Sequence, residues 1–203
     1  MKLYFAPGTC SMAPHIILCE SGLPHTLVRV STKTHTTADG SDYYKINPKG
    51  QVPVLELDDG SLLTEGPIIV QYIADRAGRT DLMPAAGTLE RYRVMEWQSY
   101  VGTEIHKSFS PLFNPNFDAT AKGVAKQILR RKLEWVDGRL AGRSFLTGET
   151  FTGADAYLYA VTGWTKPVGI DIADLANLQR FMAAVAQRPS VRQALEDEAR
   201  TAA

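Results

Sequence analysis

The sequence predicts an α/β unit followed by an all-helical unit. Three observations carry this: short β-type runs and helical stretches alternate up to about residue 80, a Pro- and Gly-rich stretch follows, and no strand signal appears beyond it. Residues 2–5 form a short apolar run closed by the breaker pair Pro7-Gly8, and residues 27–30 form a second run rich in β-branched side chains. Between them a helix is expected to begin at Ser11 as N-cap, pack through Ile16, Ile17 and Leu18, and stop at Gly22 with Pro24 just beyond. A polar, Thr-rich loop over 31–41 leads to residues 52–57, the turn Asp58-Asp59-Gly60 and residues 62–64, which read as a β-hairpin. Pro67 then starts a helix at N1 that runs through Ile68, Ile69, Tyr72 and Ile73 to Gly78.

Residues 81–88 read as a linker, which divides the chain into a domain over 1–80 and a helical domain over 89–203. Past the linker, Leu89, Tyr92, Met95, Trp97, Val101 and Ile105 recur at mixed three- and four-residue spacing, as do Ile128, Leu129, Leu133, Val136 and Leu140. Thr152 with Asp155 three residues on resembles a capping box, and Phe151 is placed to staple onto the first turn. A last amphipathic stretch carries Leu175, Leu178, Phe181, Met182 and Val185 and ends near Arg188-Pro189, so four or five helices are expected.

Composition narrows the function classes. With 203 residues, 44% of them apolar, the chain can bury a substantial core. Twenty-two basic residues balance twenty-two acidic ones, so no net charge draws the protein to nucleic acid or anionic lipid. No apolar run reaches the ~18 residues of a membrane span, and the start MKLYFAPGTC lacks a signal peptide's apolar core and cleavage site, so a cytoplasmic address is expected. Cys10 and Cys19 would stand roughly 12 Å apart along a helix rising ~1.5 Å per residue, beyond the ~7 Å limit between bridged Cα atoms, and both are expected as free thiols. No Cys/His cluster has zinc spacing and no Gly-rich loop fits a phosphate or dinucleotide fingerprint, so no metal is expected.

Four strings carry a resemblance that covers essentially the whole chain: Cys10-Ser11 before the first helix, NPKGQVPVL at 47–55, LTEGP at 63–67 and EIHKSF at 104–109. Together, and in this order, they resemble the bacterial beta-class glutathione S-transferases, especially those found beside biphenyl and aromatic degradation pathways. The resemblance implies a thioredoxin-like N-terminal domain (βαβαββα) with an all-α C-terminal domain, the cytosolic glutathione S-transferase fold. It also implies a homodimer, glutathione as co-substrate, and transfer of its sulfur to a hydrophobic electrophile, such as an aryl halide, in detoxification or aromatic catabolism.

Site residues follow one by one. Val52-Pro53 suits a cis peptide, which in the family aims the backbone of Val52 at glutathione's cysteinyl part as an added strand would. Glu65-Gly66 before Pro67 sets free amides at a helix N-terminus for the γ-glutamyl carboxylate, and Glu65 would meet the ligand's ammonium group. Cys10 precedes a helix, whose N-terminus should lower its thiol pKa. His106 is expected at the sulfur end, orienting the thiol or stabilising thiolate. Cys10 and His106 are thus the two catalytic candidates. Ser99, Thr103 and Glu104 fall where the family lines the glutathione site, partly across the dimer. His35 stands where many relatives carry lysine for the glycyl carboxylate, and Ser99 where they carry asparagine. An imidazole there lacks a fixed charge, so tighter glutathione binding below about pH 6.5 is expected.

Tyr100, Phe109, Leu112, Phe113, Trp164 and Pro167 are candidates for the acceptor pocket, with core packing as the equal alternative. Ser11 is explained by capping, Cys19 by core packing, and His15 and His25 receive no role. Two other activities remain open: a glutathione-dependent thiol-disulfide oxidoreductase or peroxidase working through Cys10, and a non-catalytic ligand-binding module.

Overall fold

The computed structural model describes residues 1–202. Five strands form one sheet in the order β3-β2-β1-β4-β5: β1 (Lys2–Phe5), β2 (Thr26–Ser31), β3 (Thr36–Thr37), β4 (Val54–Glu56) and β5 (Leu62–Thr64). β1 and β2 are parallel, with Leu3 beside Leu27, because helix α1 (Met12–Ser21) supplies the crossover between them. β4 lies antiparallel to β1, with Leu55 beside Leu3, and forms the expected hairpin with β5. Alternation sorts the faces: Leu3, Phe5 and Leu55 join Ile16 and Ile17 of α1 and Ile69 and Ile73 of α2 (Gly66–Arg76) in the main core. Tyr4, Val30, Tyr43 and Val54 form a small cluster on the other face.

Two local features differ from expectation. In place of a helix between β2 and β4 there is one 3₁₀ turn, Tyr43–Lys45, capped by Asp42, whose carboxylate accepts from the Tyr44 N–H at 3.0 Å. Pro48 and the left-handed Gly50 follow too soon for a second turn to form. Ser11 is not a side-chain cap. Its backbone is already helical, and its buried hydroxyl donates to the Ala6 carbonyl at 3.1 Å while accepting the Ala6 N–H at 3.2 Å, which ties down the loop that carries Cys10. At the other end of α1, Gly22 at φ 70° closes the helix as expected.

Beyond residue 88 the described elements are helical: α3 (Leu89–Tyr100), α4 (Ser110–Phe113), α5 (Ala119–Arg139), α6 (Gly153–Thr162), α7 (Thr165–Val168), α8 (Ala176–Ala186) and α9 (Pro189–Ala202). Five of these are longer than four residues. Pro189 does more than stop α8: it starts α9, a helix the sequence reading did not foresee, since a proline that ends one helix also suits the first turn of the next. Between α3 and α4 the coil widens to a π turn over Val101–His106 and then tightens to a 3₁₀ turn over Lys107–Phe109.

α6 is buried along nearly its whole length and packs on α1, so one continuous core joins the two halves. Its start is anchored by Asp155. One carboxylate oxygen accepts the N–H and the hydroxyl of Thr152, and the other accepts the Leu146 N–H, all at 2.8 Å. Gly153 is required here, because a Cβ would stand 2.2 Å from Cγ1 of Val70 on α2. No described helix is long and apolar enough to cross a membrane.

Candidate functional site

A cavity of about 930 Å³ opens between the loops at the end of the sheet and the wall made by α3, its π turn, α6 and Trp164. The sheet side presents mostly backbone and short polar groups. Val52-Pro53 is cis, as the sequence suggested, and sets the Val52 carbonyl 3.6 Å from the Cys10 thiol, which donates to it. Glu65 holds φ 68° and ψ 109°, a conformation that costs a non-glycine residue about 1–3 kcal/mol. That twist turns its backbone out of β5 and into the N-terminus of α2. Its carbonyl accepts from Ile68 and Ile69, and Pro67 has no N–H, so the amides of Glu65 and Gly66 stand at the helix's positive end.

The Glu65 carboxylate pairs with Lys49 Nζ at 2.5 Å, and Lys49 also donates to the Thr64 hydroxyl at 3.1 Å. Lys49 lies inside the NPKGQVPVL string but was not singled out there. Its place on the cavity wall could have been suspected, since a solvated lysine beside an anion-binding helix end is a natural carboxylate partner.

Cys10 sits at the cavity, two residues before α1, and its thiol does not behave as the helix position alone predicts. Burial pushes it up to about 11; the Cys10 backbone N–H pulls the other way, and the Glu65 charge adds to the rise. A helix end lowers a thiol pKa only where the thiolate keeps solvent or donors enough to offset desolvation, and here burial wins. At neutral pH the group is a thiol.

The helical side is aromatic. Trp164 lies 4.8 Å from the His106 ring, 5.4 Å from Phe109 and 5.8 Å from Phe113, each edge-on, and its indole N–H donates to the Gly8 carbonyl at 2.8 Å. That bond ties the aromatic wall directly to the Cys10 loop. His106, inside the π turn, has Nδ1 2.7 Å from the Tyr157 hydroxyl. Burial, with the Lys107 charge adding, drives the imidazole down to about 4, so it is neutral at physiological pH. Burial also pushes the Tyr157 phenol far above its ordinary range and keeps it protonated. Tyr157 was not anticipated, because in sequence it reads as one more apolar position of a buried helix. Gln98 is a second such residue: it is buried at the cavity wall, its amide oxygen accepting from Gln71 at 2.9 Å.

Of the residues proposed from sequence, Cys10, Val52, Pro53, Glu65, Gly66, Ser99, Thr103 and His106 come together on this cavity, with Phe109, Phe113, Trp164 and Pro167. Four stand apart from it in the single chain. His35 adopts φ 52°, packs its ring at a tilt against Tyr44 at 4.7 Å and donates through Nδ1 to the Gly50 carbonyl at 3.1 Å. Glu104 pairs with Lys132 at 2.9 Å. Tyr100 packs between Trp97 and Trp135, and Leu112 faces a smaller hollow on the far side of Phe113.

Comparison with known proteins accounts for this arrangement. Residues 8–76 match the family profile of the glutathione S-transferase N-terminal domain, and residues 100–189 that of the C-terminal domain. The chain is 43% identical over 198 residues to glutathione S-transferase GstA of Escherichia coli O157:H7, covering 98% of both chains. Among solved structures, a sphingomonad glutathione S-transferase complexed with glutathione superposes with a TM-score of 0.94 at 44% identity, covering 98% of this chain and 99% of that one. A beta-class enzyme of Sphingomonas chungbukensis superposes with the same score at 43% identity over 98% of each chain. The cavity thus lies where two matched domains meet, and the chain belongs to the glutathione S-transferase family as a bacterial beta-class transferase with glutathione as co-substrate.

Proposed function

We propose that this transferase joins the sulfur of glutathione to hydrophobic electrophiles, aryl halides among them, held against the aromatic wall. The observation that carries the reading is the pairing of unlike walls across one cavity: backbone donors and the Glu65–Lys49 pair on one side, and His106, Phe109, Phe113, Tyr157 and Trp164 on the other. Glutathione's γ-glutamyl carboxylate docks on the amides of Glu65 and Gly66, its ammonium meets the Glu65 carboxylate, and its cysteinyl backbone pairs with Val52. The protonated Tyr157 hydroxyl donates to His106 Nδ1, which leaves the imidazole proton on Nε2. That N–H donates to the glutathione sulfur as its proton leaves to solvent. The thiolate then attacks the electrophilic carbon and the halide departs, so electrons and charge balance without a redox partner.

Cys10, held as a thiol, assists at the sulfur end without being the nucleophile. The oxidoreductase reading needs Cys10 thiolate, which burial disfavours. We further propose a homodimer in which some of the contacts from Ser99, Thr103 and Glu104 reach the partner's site. Ile68 on α2 and Leu89 and Tyr92 on α3 remain exposed, as an unpaired apolar surface would. Two free thiols, Cys10 and Cys19, support a reducing, cytoplasmic workplace.

Turnover of 1-chloro-2,4-dinitrobenzene by the wild type and Cys10→Ser, with hydroxyethyl disulfide reduction in parallel, tests the reading. Conjugation that survives the substitution supports it. Disulfide reduction alone, lost with Cys10, replaces it with the oxidoreductase.

A further inference from the structure

Between α1 and the segment that leads into β2, three side chains that the transfer chemistry does not use converge. His15 and Cys19, four residues apart on one helix face, meet His25 from the start of β2, and one ligating atom from each lies within 4.8 Å of the others. Around a tetrahedral zinc ion, with bonds of about 2.0–2.3 Å, ligand atoms stand about 3.3–3.8 Å apart, so closure takes a shift of about 1 Å in flexible side chains. The outer nitrogens are already arranged for this. His15 is fully buried, and its Nδ1 lies 3.4 Å from the buried Glu198 carboxylate of α9, while its Nε2 has no hydrogen-bond partner. His25 donates through Nδ1 to the Leu23 carbonyl at 2.9 Å, which leaves Nε2 its lone pair. Imidazoles that ligate metals are held in this way, one nitrogen on an oxygen acceptor and the other turned to the ion. Asp197 of α9 stands outside this group: its Oδ2 is 3.8 Å from His15 Nε2, but its carboxylate accepts from Gln193 at 3.0 Å and from Arg200, which leaves the fourth position of a tetrahedral ion to a solvent molecule.

We propose that His15, Cys19 and His25 bind a zinc-type divalent cation, with a solvent molecule as the fourth ligand. On binding, the Cys19 thiol gives its proton to solvent and the sulfur donates its lone pair to the ion, with no change of oxidation state. The ion clips α1 to the segment that leads into β2. It takes no part in the transfer, but it shares His15 with Glu198, whose other oxygen accepts the Gly8 N–H at 3.1 Å in the loop ahead of Cys10.

Cobalt(II) titration of the full chain carrying Cys10→Ser, which removes the other thiol, tests the site. One equivalent should raise the d–d bands of tetrahedral cobalt and a thiolate-to-cobalt charge-transfer band, and adding Cys19→Ser or His25→Ala should abolish the latter or weaken binding at least tenfold. In the unmutated chain, one equivalent of zinc should slow N-ethylmaleimide labelling of Cys19, mapped by mass spectrometry, by tenfold or more and raise Tm. No tetrahedral spectrum, a spectrum that survives Cys19→Ser, or labelling of Cys19 unchanged by zinc would each overturn the proposal.

Discussion

The two walls of the cavity are built on opposite principles. The sheet side comes from 8–10, 49–53 and 64–68, short loops whose shape is set by local features: a cis Val52-Pro53 bond, the twisted backbone of Glu65, and the helix start at Gly66-Pro67. The helical side draws on residues 98–113, 157 and 164, brought together only when α6 packs beneath the π turn of 101–106. One wall offers backbone groups at positions a motif can encode. The other offers side chains whose chemistry depends on burial. His106 is neutral and Tyr157 protonated chiefly because of where they are buried, with only the adjacent Lys107 charge adding locally at His106.

The comparison can be broken at four points. Cys10, on the sheet side, is where burial overrides local position, and it gives the largest effect. With Cys19→Ser removing the other thiol, iodoacetamide alkylation of Cys10 should quicken about tenfold per pH unit, nearly a thousandfold from pH 7 to 10, because only thiolate reacts and the thiol is held near 11. A rate already level at pH 7.5 would restore the helix-end argument.

Next comes the anchor of the helical wall. Burial lifts the Asp155 carboxyl to about 6, yet three donors depend on it. Asp155→Ala strands them and should cost on the order of 3 kcal/mol in urea unfolding. A loss below about 1 kcal/mol would show that core packing alone positions α6.

Smaller effects divide the walls by function. Glu65→Gln should weaken glutathione about tenfold by calorimetry, roughly the 1.4 kcal/mol of a lost charge-assisted bond, with unfolding little changed. Tyr157→Phe removes only the hydroxyl on His106 and should lower kcat/KM for the chloronitrobenzene about fivefold, or about 1 kcal/mol, leaving glutathione affinity intact. If Tyr157→Phe instead weakened glutathione binding and Glu65→Gln spared it, the division of labour would be reversed.

The sequence by itself determined the elements whose signals are local. The α1 stop at Gly22, the β4–β5 hairpin, the start of α2 at Gly66-Pro67 and the Thr152/Asp155 cap are all decided within a few residues, by allowed dihedrals and short-range hydrogen bonds. The same locality explains why the sheet wall was legible as NPKGQVPVL and LTEGP. Where the reading failed, the deciding contact was distant or the deciding quantity was solvation. Ser11 bonds back to Ala6 rather than capping, α9 continues past a proline that resembles a terminus, and Cys10 carries a raised thiol pKa where a lowered one was expected. Tertiary structure alone brought Tyr157 to His106, Trp164 to Gly8 and the α9 carboxylates to His15, across 51, 156 and more than 180 residues. Partners that far apart share no local pattern, and the balance between desolvation and hydrogen bonding that sets each group's protonation exists only once the core has closed around it.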